Sequence, residues 1–96
     1  MGWIYFETAK EVVEWLKKEM EDEYREHWIK RYQELIEKVV EFDKEYFSSG
    51  EDINLGYVVI IKPYNIFVEA ITVYGVDEPK VVTVDVEEWL RSCDDP

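Results

Sequence analysis

His27 is the only histidine and Cys93 the only cysteine in the 96 residues. Any nucleophilic triad or thiol chemistry must therefore run through those two side chains. Glu23 stands four residues before His27, a spacing that on a helix places carboxylate and imidazole on one face and offers a metal two ligands. Two ligands make no specific site. The Glu-x-x-His pairing of di-iron bundles is absent, because Tyr24 holds that position. A surface histidine in a charged helix accounts for His27 better. Cys93 has no histidine near it, and its neighbours Asp94 and Asp95 oppose formation of the reactive thiolate. Carboxylates are too abundant to be informative in pairs. A general acid needs a buried carboxyl that stays protonated, and Glu69, set in an otherwise apolar stretch, is the best candidate. The plainer expectation is that Glu69 points to the open face of a sheet. No glycine-rich phosphate loop and no zinc spacing occurs. The expectation is a protein that is not an enzyme, with no catalytic residue, cofactor or metal.

What the chain does carry is acid. Twenty-three acidic residues face eleven basic ones, a formal net charge of −12 and a pI of about 4.4. Such a surface repels nucleic acid and anionic lipid and attracts basic proteins over a screened distance. The charge is uneven. Residues 53–75 carry only Lys62 and Glu69 and are neutral, while the acid is displayed before and after them. Glu34, Glu37, Glu41 and Glu45 repeat at three and four residues and so line one face of a helix, with neighbours about 5–6 Å apart at Cβ. Such a row can imitate locally the phosphates of a nucleic acid strand. A solvated surface that keeps the protein soluble is the competing explanation.

Length and composition set the frame. Ninety-six residues form a single small acidic domain, residues 1–96, with 47% hydrophobic and 16% aromatic residues, enough to fold unaided. No run approaches the roughly 18 apolar residues of a membrane span, and the N-terminal stretch does not read as a signal peptide. A single cysteine excludes an internal disulfide and suits a reducing, cytoplasmic setting. Abundant Glu and Lys, one glutamine (Gln33) and two asparagines (Asn54, Asn65) lean toward a heat-adapted composition.

These residues must be positioned by an α+β fold, an antiparallel sheet of three to four strands with helices on one face. Gly2 to Glu7 reads as a short strand. Thr8-Ala9-Lys10-Glu11 has the form of a capping box, with Thr8 accepting from the Glu11 amide and the Glu11 side chain reaching back to Thr8. No Gly or Pro interrupts residues 9–49, and one helix of that length would run about 60 Å, too long for a compact domain. Counted along one continuous helix, the apolar stripe of Val12, Trp15, Leu16 and Met20 lies over about 100° from that of Trp28 to Tyr46. Two helices broken near Met20 to Glu23, with Asp22 as a cap, are the preferred reading. One long helix stays open, supported by pairs such as Glu21/Arg25 and Glu26/Lys30. It would need a partner chain over its first half. Leu55 to Ile61 is a strand apolar on both faces and so central, Pro63-Tyr64 lies in a turn, and Ile66 to Tyr74 and Lys80 to Val84 follow as strands. Asp85 caps a short C-terminal helix with Glu87 and Glu88 in its first turn.

From this the chain is expected to be an interaction protein. Its acidic surface would dock on a basic protein, one that handles nucleic acid, and in the strongest form it would inhibit that protein by nucleic-acid mimicry. Small acidic anti-defence inhibitors of viruses and plasmids are similar in size and charge, and no motif carries the likeness further. The expected contact residues are Glu34, Glu37, Glu41 and Glu45, with Glu11 and Glu14 around an exposed Trp15 as anchor, and Asp85, Glu87 and Glu88. The alternative is a homo-oligomeric structural or scaffold module whose copies meet through Val12, Trp15 and Leu16, the acid then serving solubility. Direct nucleic-acid binding and membrane binding are not expected.

Overall fold

The computed structural model describes residues 2–48, 54–74, 77 and 80–93, with the side chains of 47, 48, 54, 55, 73, 74 and 93 left aside. The described residues form an α+β fold of seven elements in the order β1 (Gly2–Phe6), α1 (Ala9–Asp22), α2 (Glu26–Ser48), β2 (Asn54–Lys62), β3 (Asn65–Tyr74), β4 (Lys80–Asp85) and α3 (Val86–Cys93). The four strands form one antiparallel sheet in the order β1-β2-β3-β4. β2 is internal, as its two apolar faces require. β1 supplies the fourth strand, on the edge beside β2, with Ile4 opposite Val59 and Phe6 opposite Tyr57. The connections at 49–53, 75–76 and 78–79, the terminal residues 94–96 and the Cys93 thiol lie outside the described residues.

The long helical stretch is two helices. Thr8 caps α1, its hydroxyl accepting from the Glu11 amide at 3.3 Å. The Glu11 carboxylate accepts from the amide of Glu7 at 3.3 Å, one residue earlier than the box predicts. The break falls at residues 23–25, and the residue that makes it is Glu23, not Asp22. The Glu23 amide donates to the Met20 carbonyl, while its Oε1 accepts the amides of Tyr24 at 3.1 Å and Arg25 at 3.0 Å. The Arg25 guanidinium then closes on both carboxylate oxygens, at 2.9 and 3.0 Å. One residue thus finishes α1 through its backbone amide and, through its side chain, satisfies amides ahead of α2, where helix termini leave donors unpaired. Arg25 pairs with Glu23 and not with Glu21, which removes part of the support for a continuous helix.

All three helices pack on one face of the sheet. α2 lies between α1 and α3, α1 covers β1 and β2, α2 reaches β3, and α3 covers β3 and β4. The core is the space between the layers. Leu16, Leu35, Val39 and Phe42 from the helices meet Tyr57, Val59, Val68 and Ala70 from the sheet, with Val86 and Leu90 closing one side. Phe42 is the centre of an aromatic cluster, edge-on to Trp89 at 5.0 Å and to Tyr57 at 6.2 Å and stacked on Tyr46 at 5.7 Å.

Val12 and Leu16 are 0% exposed. The expectation that they form an interface between copies gives way, because the stripe was counted along a continuous helix. The break resets the phase, so the apolar stripes of both helices turn to the same sheet.

Candidate functional site

Among the described side chains, the residues that could do chemistry, His27, Glu23 and Glu69, are not brought together. Residues 23–25 lie outside both helices, so Glu23 and His27 do not share a helical face, and Glu23 is committed to Arg25. His27 is exposed, its ring 5.7 Å from Trp28. Glu69 is a neighbour in sequence of the inward-facing Val68 and Ala70 and so belongs to the face away from the helices, opposite Val58 and Asp85. Among the described residues no three of His, Cys, Asp and Glu gather to hold a metal ion, and no helix is long and apolar enough to cross a membrane.

The acid row fares differently. Tyr32, Leu35, Val39, Phe42 and Tyr46 turn one side of α2 into the core, and the opposite side presents Glu34, Glu37, Glu41 and Glu45, all exposed. Glu34 also reaches Arg31 at 3.5 Å. The row spans about 17 Å of helix axis, one carboxylate per about 5–6 Å, against one phosphate per about 3.4 Å along a nucleic acid strand. Glu11 and Glu14 on α1 are exposed as well. They do not join the row in one acidic field, because a groove of about 390 Å³ between the two helices brings in Lys10, Lys17 and Lys44.

Two of the three C-terminal acids have work inside the fold. Glu87 forms a two-pronged pair with Arg31, at 2.6 and 3.1 Å, and the same guanidinium donates to the Ile66 carbonyl at 2.7 and 3.2 Å. Both side chains are mostly covered, at 15% and 18% exposure, so Arg31 clamps α2 to β3 and α3. Asp85 caps α3 by accepting from the Glu88 amide at 3.0 Å. Only Glu88 of the three is fully exposed.

Trp15 is half-buried against Phe6, ring centres 6.1 Å apart, and lines a shallow hollow with Glu19, Arg25, Trp28 and Lys62. It is not a tryptophan ringed by acids. Strand β1 carries the exposed tryptophan instead. Trp3 is 71% exposed and Tyr5 52%, both on the sheet face that no helix covers. The strand period of two could have found them, since Ile4 and Phe6 take the inner face and leave Trp3 and Tyr5 outside. The Tyr5 ring lies across Gly56, where a Cβ would come within 2.7 Å of the tyrosine oxygen. Beside Trp3 a shallow depression of about 370 Å³ is lined by Gly2, Val58, Ile60, Ile61 and Lys62.

No family model, no curated protein and no solved structure matches the chain. The functional reading rests on these two surfaces, the acid row and the open sheet.

Of the groups whose ionisation the fold shifts, Glu23 and Tyr57 move furthest. The Arg25 guanidinium and the backbone amides beside Glu23 lower its carboxyl to about 2. Burial, then the charge of Asp43 and the hydrogen bond to it at 3.0 Å, push the Tyr57 phenol strongly upward.

Proposed function

We propose that the protein is a non-enzymatic interaction protein whose acidic α2 row docks on the basic surface of a nucleic-acid-handling protein and competes there with the nucleic acid. The observation that carries this reading is the exposure of Glu34, Glu37, Glu41 and Glu45 along one line, on the side of α2 opposite its buried stripe. Aligned carboxylates on a rigid helix hold their spacing without further ordering, which favours a partner evolved to grip regularly spaced anions. Glu88 and the exposed acids of α1 stand outside the row as secondary contacts. Asp85 and Glu87 are left out, because capping α3 and holding Arg31 occupy them.

The test is capture on the immobilised protein, eluted by rising salt. A basic nucleic-acid-binding protein should be retained, released by salt and displaced by added DNA or RNA. The variant Glu34→Gln/Glu37→Gln/Glu41→Gln/Glu45→Gln should fold normally and lose that retention. Equal retention by the variant overturns the reading.

The second reading, a self-associating module, is favoured by a different observation, the uncovered apolar face of the sheet.

A further inference from the structure

We infer that the open face of the sheet is a self-association surface, on which two copies of this chain stack sheet to sheet about a two-fold axis. This stands apart from the acid row and does not depend on it.

The face is apolar and wet at once. Trp3, Tyr5 and Val81 are 71%, 52% and 60% exposed, and Val58, Ile60 and Ile71 between them are partly open. Four strands about 4.8 Å apart and about 25 Å long give roughly 500 Å² in projection, and more with the relief of the side chains. The apolar part of that face, a few hundred Å², is as large as the largest patch of an ordinary single chain, which is often a contact surface. Two stacked copies would bury on the order of 1,000–1,400 Å² in total, the lower end of what stable pairs require. That area fits a reversible dimer and is too small for an obligate one.

Charge selects the occupant. The chain carries −12, yet its stretch 53–75 holds only Lys62 and Glu69. A basic partner finds a row of carboxylates on α2 and, on the open face, little beyond Glu69 with Asp85 beside it. The open face complements itself. In the register, Trp3, Ile60 and Phe67 form one row across the sheet. Lys62 lies two residues beyond that row on β2. Tyr5, Val58, Glu69 and Asp85 form the next row on its other side. A two-fold axis laid along the Trp3–Ile60–Phe67 row exchanges those two sides. It sets Trp3 of one copy beside Trp3 of the other. It also sets Lys62 of each copy over Val58 of its mate, one strand spacing of about 4.8 Å from Glu69. Glu69 and Asp85 are like charges directly opposite in register, and Lys62 now rests on the Phe67 ring at 5.3 Å. Dimerisation therefore brings each Glu69 a cation while the apolar row dries between sheets about 10 Å apart.

Sedimentation velocity of the full chain tests this across concentration, at low salt and at about 0.5 M salt. The expected result is a monomer–dimer equilibrium with Kd on the order of 10–100 µM, tightened several-fold by salt as the repulsion of two −12 chains is screened. Trp3→Ser should raise Kd about tenfold or more, with the melting of the dilute monomer unchanged. Lys62→Glu and Glu69→Lys should each weaken the dimer, and the two together should restore it to within about threefold. A chain that stays monomeric at about 0.5 mM overturns the inference and leaves the face to another partner. A dimer indifferent to Trp3→Ser and to the charge swap overturns it as well, assigning the contact to another surface. Salt separates this failure from that of the acid row, since docking on a basic partner weakens with salt and sheet stacking strengthens.

Discussion

On the helix side of the sheet, Tyr57, Val59, Val68 and Ala70 are closed off from solvent. One residue along the same strands, Val58, Ile60, Glu69 and Ile71 are partly open, and Trp3 and Val81 beyond them are largely so. Apart from Lys62, Glu69 and Asp85 on the open side, the residue types hardly differ between the two sides. What differs is that one side meets three helices and the other meets none of the described elements. Hydrophobicity alone therefore does not identify the core. It identifies what must be covered, and the topology decides which face the chain covers itself. The charge follows the same division. Twenty-one of the 34 charged residues sit on the three helices, beyond the covered side, and few sit on the open strands, so the molecule offers one charge-rich surface and one largely apolar surface to different partners.

The sharpest way to break this comparison is to truncate one aromatic on each side. Phe42→Ala removes the ring shared by Trp89, Tyr57 and Tyr46 and should cost about 3–5 kcal/mol. Trp3→Ala, measured on the dilute monomer, should stay within about 0.5 kcal/mol despite the larger side chain lost. Urea unfolding of both variants checks it, and equal costs would mean that the open face is covered within one chain. The next effect concerns what holds the helix layer to the sheet. Arg31→Ala leaves Glu87 and the Ile66 carbonyl without their donor and should cost about 3 kcal/mol. Arg31→Lys should recover less than half of that, because an ammonium cannot reproduce the fork. A full recovery would reduce the clamp to simple charge.

How much of this was legible follows from the range of each interaction. The strands, the turn at Pro63-Tyr64, the Asp85 cap and the two-helix division are written in neighbouring residues, and each is present. The apolar stripe of α1 was read in the wrong phase because a three-residue break resets rotation, and nothing local tells by how much. The Arg31–Glu87 pair joins residues 56 apart, so Glu87 looked like one more surface acid. Trp3 shows the opposite case. Alternation along Trp3-Ile4-Tyr5-Phe6 places it outside, yet the general habit of tryptophan is burial, and that habit masks the alternation in so short a strand.

A smaller effect lies on the covered side, where Tyr57 carries a polar tip into the core and donates to Asp43. Burial raises its phenol above the ordinary value of 10.0, so the unfolded chain ionises first as the solution becomes alkaline. The unfolded state then binds fewer protons, and stability falls as pH rises above about 10. Tyr57→Phe should cost about 1 kcal/mol at neutral pH and flatten that alkaline decline. Melting curves at neutral and alkaline pH check both halves.

Glu23 sharpens the comparison at its lower limit, because it lies at the surface and yet decides how the helix layer is folded. Its carboxyl sits at about 2 in the folded chain against an ordinary 4.5. A folded value below the unfolded one means that the contribution is complete above about 4.5 and is lost progressively as pH falls toward about 2. Glu23→Gln keeps the shape and removes the ionisation. It should lower the melting temperature at pH 7 and have little effect near pH 2, so the acid limb of the variant is shallower than that of the parent. If the two limbs run parallel, the break between α1 and α2 is held by the packing of the two stripes and not by the Glu23–Arg25 pair.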